Sequence, residues 1–172
     1  MSFLFTHLIA GWAAGKAFEF IFKRKLSTYT WLFLLAGTII PDLDFLIDWT
    51  LKTDIHRTIT HSLTFAVIFP LFVFTILKLT KDPKSKYYSV ALSIGIITHF
   101  LMDMQSHIGV ALLWPSPVTF SYKGLKLVDH SLPSLFNSSA QQTISFLKKL
   151  LWDAALGAGW LFYFGLRKRI RF

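Results

Sequence analysis

Histidine and aspartate residues with the spacing of metal ligands occur in the apolar part of this chain. His99 and Asp103 lie four residues apart at the end of the run YYSVALSIGIITHFLMD, so a helix would place both side chains on one face. An imidazole and a carboxylate one turn apart can hold a metal ion or form an acid/base pair. A buried His–Asp hydrogen bond that ties two helices together explains this pair alone equally well.

A second polar cluster follows Pro41, where aspartates stand at positions 42 and 44. Residues two apart face the same way in an extended segment and diverge on a helix. Because proline favours the first turn of a helix, we expect one of Asp42 and Asp44 to be a metal ligand and the other to support it. Arg57, beside His56, can hold a phosphate through two parallel hydrogen bonds or anchor the chain among lipid headgroups.

The side-chain types limit the metal and the chemistry. The chain has no cysteine, so disulfides and thiolate metal sites are excluded. Imidazole and carboxylate ligands suit Zn²⁺, Mn²⁺ or Fe²⁺. More than four such ligands predict two or more divalent ions, and paired ions favour hydrolysis of a phosphoester because they polarise the phosphoryl oxygen and activate water. His107 and His130 follow in a polar stretch, and their spacing assigns them no role.

The composition is that of a membrane protein. Hydrophobic residues make up 53% of the 172 positions and charged residues only 16%, whereas soluble domains carry about 25% charged residues. The net charge is +9, but the Lys and Arg residues cluster at the ends of apolar runs, where they encode membrane topology. Aromatic residues do not alternate with them, so nucleic-acid binding is not expected.

The apolar runs predict an all-α, polytopic helix bundle that forms one integral membrane domain over residues 1–172. A membrane-spanning helix needs about 20 apolar residues, and about five transmembrane helices are expected. Basic residues after the first, third and fifth runs predict an outer N-terminus and a cytoplasmic C-terminus, which places the His and Asp clusters together on the outer side. The interval 103–142, rich in Ser, Pro and Gly, is predicted to be interfacial or re-entrant. The five runs are residues 3–22, 31–47, 61–79, 87–102 and 146–166.

Two smaller features of the first run predict how it packs. Gly11 and Gly15 form a GxxxG spacing, which permits close approach of another helix. Lys16 and Glu19 are three residues apart, and a structural ion pair is expected between them. In the last run, Lys148, Lys149 and Asp153 weaken the apolar character of the start.

Taken together, the motifs resemble those of a known family. Their order is THLIAG with His7, GTIIPDLD, HRTITHS, and HFLMD followed by Gly109 and LLWP. This order resembles the YdjM-like family of membrane-bound metal-dependent hydrolases, also called LexA-binding inner-membrane hydrolases. The resemblance covers His7 to Pro115. Thr58 stands where the family usually has glycine, so the turn after Arg57 is expected to differ.

The resemblance implies a multi-pass protein of the inner (plasma) membrane and a set of metal ligands. The ligand order is also similar to that of soluble zinc-dependent phospholipase C, which implies zinc and phosphoester hydrolysis. Asp44 and Arg57 are then expected to take part in catalysis. The family name implies a LexA-type partner, although no residue here indicates one. The implied metal ligands are His7, Asp42, His56, His61, His99 and Asp103.

The predicted function is therefore that of an enzyme, a membrane-embedded hydrolase that cleaves a phosphoester of a lipid or lipid-linked substrate. Two alternatives belong to other classes. One is a metal- or proton-coupled transporter or channel, against which the lack of an evident inverted repeat argues. The other is a non-catalytic scaffold that binds a cytosolic protein through its basic tail.

Overall fold

The computed structural model describes residues 4–51, 58–106, 109–127 and 140–166. These residues form mainly α-helices, as predicted, together with one small β-hairpin that the sequence did not indicate. The elements in chain order are α1 (Leu4–Phe22), α2 (Thr28–Gly37), a first 3-10 helix (Ile40–Leu43), α3 (Asp44–Leu51), a second 3-10 helix (Ile59–His61), α4 (Leu63–Leu79), α5 (Ser85–Asp103), β1 (Val118–Ser121), β2 (Gly124–Leu127) and α6 (Ala140–Leu166).

Helix α5 is the centre of the bundle and packs against α1, α2 and α4. It contacts α2 backbone to backbone, at Gly37 of α2 and Gly95 of α5. A Cβ atom on Gly95 would lie 2.1 Å from the carbonyl oxygen of Leu34, and one on Gly37 would lie 2.4 Å from that of Leu92. Because no side chain fits between them, the two helices are held at a fixed distance one turn before His99.

Helix α1 packs against α2 through the predicted GxxxG pair. A Cβ atom on Gly11 would lie 2.5 Å from Thr38 Cγ2, and one on Gly15 would lie 2.4 Å from the Trp31 ring. The predicted ion pair is also present, with Lys16 Nζ 2.9 Å from Glu19 Oε2. Glu19 further accepts a hydrogen bond from the backbone N–H of Leu26. This end of α1 is thereby tied to the start of α2.

The second apolar run is not one straight helix. It divides into α2, the first 3-10 helix and α3, with Pro41 in the first turn of the 3-10 helix and a bend of 50° at the break. Among the described residues, this bent pair has the length and apolar composition to cross a membrane, whereas each helix taken singly falls short of that requirement. The predicted number of spans and their direction stay predictions.

The segment after α5 folds back over the end of the bundle as a hairpin. Strands β1 and β2 pair antiparallel, and the backbone of Val110 exchanges two hydrogen bonds of 2.9 Å with Phe120. Gly109 makes this approach possible: its φ is +79°, and a Cβ atom there would lie 2.7 Å from the Phe120 carbonyl oxygen. The N–H of Leu63 donates to the carbonyl of Leu112, which joins the start of α4 to the same segment.

Candidate metal centre

Five of the predicted metal ligands converge at one end of the bundle. They come from the start of α1, the two 3-10 helices and the last turns of α5. The histidines are buried, as is Asp103 at 1% exposure, whereas the side chain of Asp42 is 32% exposed. His56 and Arg57, like His107 and His130, lie outside the described residues. The converging ligands are His7, Asp42, His61, His99 and Asp103.

Four of these side chains form a compact set that could hold a metal ion. One ligand atom from each of Asp42, His61, His99 and Asp103 lies within 4.8 Å of the others. Asp42 Oδ1 is 3.5 Å from His99 Nε2 and 3.6 Å from His61 Nε2. Asp103 Oδ2 is 3.6 Å from His61 Nε2 and 3.9 Å from His99 Nε2. Two imidazole nitrogens therefore face two carboxylate oxygens.

The backbone that directly follows α2 sets the orientation of His99. Its Nδ1 lies 2.9 Å from the carbonyl oxygen of Thr38. A carbonyl oxygen only accepts hydrogen bonds, so Nδ1 carries the proton and donates it. In the neutral ring, Nε2 then presents a lone pair to the centre of the cluster, which is the usual arrangement of a metal-binding histidine.

A threonine hydroxyl sets the orientation of His61. Thr60 Oγ1 lies 3.0 Å from His61 Nδ1, and the hydroxyl donates its proton to Asp44 Oδ2. Because that proton is used, the Thr60 oxygen accepts from His61 Nδ1–H. Asp44 Oδ2 is also 3.6 Å from the same nitrogen. The neutral His61 ring therefore presents a lone pair at Nε2 as well.

The two lone pairs point at each other across a short distance. Nε2 of His61 and Nε2 of His99 are 3.1 Å apart, and both are buried. Such an approach is repulsive unless a cation lies between the two nitrogens. Two nitrogens bound to one tetrahedral zinc ion at about 2.0–2.1 Å would be roughly 3.3 Å apart. A shared proton would also relieve the repulsion. With the two carboxylate oxygens beside them, the same nitrogens form a set of four that could hold a metal ion.

His7 approaches the same carboxylates from the other side. Its Nε2 is 3.5 Å from Asp103 Oδ1 and 3.9 Å from Asp42 Oδ2, the oxygens that face away from the His61–His99 pair. Neither ring nitrogen of His7 has a hydrogen-bond partner among the described residues, although both are buried. The ring stacks on His99 at 3.9 Å. Each carboxylate thus has one oxygen near the His61–His99 pair and the other near His7.

The comparison with known families agrees with the motifs. The family model described as YdjM inner membrane protein matches residues 1–167. The chain belongs to the YdjM family. No curated protein and no solved structure matches it. Membership in this family of inner membrane proteins agrees with the predicted location.

In this YdjM family member the two aspartates after Pro41 have different surroundings. Asp42 lies in the first 3-10 helix with its carboxylate among the imidazoles, and it is the most exposed of the converging ligands. Asp44 begins α3 and is buried at 3% exposure, with Thr60 and His61 as contacts. Asp42 is thus placed where it could bind a metal ion, whereas Asp44 is placed beside Thr60 and His61.

One functional group of this YdjM centre was not predicted. The Thr38 carbonyl oxygen orients His99 from a position 61 residues away. A backbone oxygen has no side-chain signature, and only the packing of α2 on α5 brings it near the ring. The sequence indicates this contact only indirectly, through the two glycines that permit the packing. Gly37 is next to Thr38, and Gly95 is one helical turn before His99.

Proposed function

We propose that this protein is a multi-pass inner membrane hydrolase that cleaves a phosphoester of a lipid or lipid-linked substrate at a two-metal centre. The observation that carries the proposal is the sharing of two carboxylates. Asp42 and Asp103 each direct one oxygen to the His61–His99 pair and the other to His7. Histidine and aspartate ligands favour Zn²⁺, with Mn²⁺ or Fe²⁺ as substitutes.

The residues of the chain supply the ligands and their orientation. Two divalent ions held by these ligands would polarise a phosphoryl oxygen and lower the pKa of a water molecule toward neutrality. Thr38 and Thr60 fix which imidazole nitrogens face the ions, so the ligands do not reorganise when substrate arrives. Asp42 is the exposed ligand, so the substrate would approach on its side. Arg57 stays a predicted phosphate-binding residue.

The surroundings of the exposed side favour a lipid substrate. Helix α3 follows Asp42 directly and presents large apolar side chains at its surface, among them Leu46 and Trp49. Leu113 and Trp114 are exposed in the segment that follows α5. In an inner membrane protein, such side chains face acyl chains or interfacial lipid. A phosphoester headgroup would then reach the carboxylates while its chains stay in the bilayer.

A hydrolysis screen tests the proposal. Detergent-purified protein, loaded with Zn²⁺ or Mn²⁺, is incubated with mixed phospholipids and with phosphomonoesters, and the release of phosphate and of phosphorylated headgroups is measured. We expect release by the wild type and loss of release in His99→Ala, while Thr98→Ala, a change at the neighbouring position of α5, keeps it. Release at the same rate by wild type and His99→Ala would refute the proposed chemistry.

The same buried ligands would also serve a metal- or proton-coupled transporter. That function predicts ion flux into liposomes and no hydrolysis of any phosphoester. A non-catalytic scaffold predicts instead that His99→Ala leaves the biological function intact. Flux and hydrolysis measured on one reconstituted sample therefore separate the three functions.

A further inference from the structure

Helix α6 carries a buried aspartate that binds the first turn of α1. Asp153 is 5% exposed. Its Oδ2 accepts from the N–H of Phe5 at 3.0 Å, and its Oδ1 accepts from the N–H of Thr6 at 2.7 Å and from the Thr6 hydroxyl at 2.5 Å. The start of α1 is thus capped by a residue that lies 147 positions further along the chain.

The physical reason for an aspartate at this point is the unpaired end of α1. The first turn of a helix leaves backbone N–H groups without partners and carries partial positive charge, so a carboxylate binds it favourably. Elsewhere α6 presents mainly exposed apolar side chains, among which a lone carboxylate would be costly in a membrane protein. In the sequence, Asp153 lowers the apolar character of the last run. In the structure, its carboxylate accepts hydrogen bonds from the first turn of α1.

A glycine one turn later completes the contact. A Cβ atom on Gly157 would lie 2.3 Å from the ring of Phe5. Asp153 and Gly157 are the buried positions of α6 within the part whose side chains are described. Helix α6 therefore packs closely against the first turn of α1. There Asp153 supplies a carboxylate, and Gly157 leaves room for the Phe5 ring.

This first turn ends at the residue that faces the metal centre. Thr6, which Asp153 binds twice, is followed by His7. His99 and His61 are oriented by hydrogen bonds to Nδ1, whereas the His7 ring has no such bond among the described residues. The position of the His7 imidazole is therefore set by its backbone, by stacking on His99 and by the longer contacts with the carboxylates of Asp42 and Asp103.

We propose that Asp153 is a positioning residue, which holds the turn of α1 that presents His7 to Asp42 and Asp103. The proposal rests on the proposed function, in which His7 is the ligand of a second metal position. It assigns α6, which contributes no ligand among its described residues, a role in the centre. The proposal treats His7 separately from His61 and His99, because Thr60 and Thr38 orient those two rings.

The test measures the accessibility of single histidines. Metal-free protein in detergent is treated with diethyl pyrocarbonate, which modifies accessible unprotonated imidazoles, and the modified histidines are identified by mass spectrometry. In Asp153→Ala we expect His7 to be modified about tenfold faster than in wild type, because the uncapped turn opens more often. The rate for His61, whose ring is oriented by Thr60, should stay at the wild-type value. Asp153→Asn keeps one acceptor and should give an intermediate rate.

The matched control is a substitution at an exposed position of the same helix. Ser145→Ala removes a polar group from an exposed position of α6 and should behave as wild type. An unchanged rate at His7 in both Asp153 variants would overturn the proposal. An equal rise at His7 and His61 would also overturn it, because it would show general loosening of the bundle. Neither metal nor substrate is added, so the outcome is independent of whether the protein hydrolyses a phosphoester.

Discussion

His61 and His99 face each other through their Nε2 atoms at 3.1 Å, while each ring is bonded at Nδ1 on the opposite side. The Thr38 carbonyl fixes one ring, and the Thr60 hydroxyl with Asp44 fixes the other. Neither ring can turn its lone pair away without losing its hydrogen bond at Nδ1. The arrangement places the two histidines with Asp42 and Asp103 in a set that could hold a metal ion.

The first prediction concerns the hydrogen bond that orients His61. Thr60→Val keeps the shape of the side chain but removes the hydroxyl between His61 and Asp44. We expect zinc to bind about tenfold more weakly, as is usual when a group that supports a metal ligand is lost. Thr60→Ser restores the hydroxyl and should bind within about twofold of wild type. Competition with a chromophoric chelator measures both affinities, and equal affinities for Val and Ser would contradict the prediction.

The second prediction concerns the contact between α2 and α5. Gly95→Ala places a Cβ atom 2.1 Å from the Leu34 carbonyl, so the helices must separate. We expect a loss of about 1–3 kcal/mol of stability, which lowers the melting temperature by roughly 3–10 °C. It should also weaken zinc binding, because the Thr38 carbonyl moves away from His99.

A glycine with free space around it provides the control for this change. Gly159 lies in α6, and nothing would lie within 4 Å of a Cβ atom there. Gly159→Ala should leave the melting temperature unchanged or raise it, since alanine favours a helix by about 1 kcal/mol over glycine. Equal destabilisation by the two alanines in detergent would show that close helix contact at Gly95 is not the cause.

The third prediction concerns the charge of Asp103. Without a cation, the buried Asp103 and the nearby Asp42 repel each other. Metal-free Asp103→Asn should therefore melt no lower than metal-free wild type. Zinc should raise the melting temperature of wild type, since a ligand at a hundred times its dissociation constant stabilises the folded state by about 2.7 kcal/mol. Zinc should have little effect on Asp103→Asn. A zinc effect on the variant as large as that on wild type would contradict this.

Part of the site follows from local spacing in the sequence. His99 and Asp103 are one helical turn apart, and the structure has both on a buried face of α5. Pro41 leads into a 3-10 helix, where Asp42 and Asp44 take separate directions. These features depend only on helix geometry and on the missing N–H of proline. They can therefore be predicted without knowledge of the tertiary structure.

The remaining features depend on contacts between distant parts of the chain. The Thr38 carbonyl meets His99 only because α2 and α5 touch at glycines, and Asp153 meets α1 only because α6 folds back along it. The hairpin at Val118–Leu127 lies within residues 103–142, for which the sequence predicts an interfacial or re-entrant segment. Its strands are held by Val110 and by the conformation of Gly109. Tertiary contacts of this kind have no periodicity that a sequence reveals.

The metal content of the purified protein tests the central claim most directly. Elemental analysis of protein purified in detergent without added metal should find about two zinc, manganese or iron ions per chain. The ratio should fall to about one in His7→Ala, which leaves the His61–His99 pair and one oxygen of each carboxylate. Absence of any transition metal from folded wild-type protein would contradict the account.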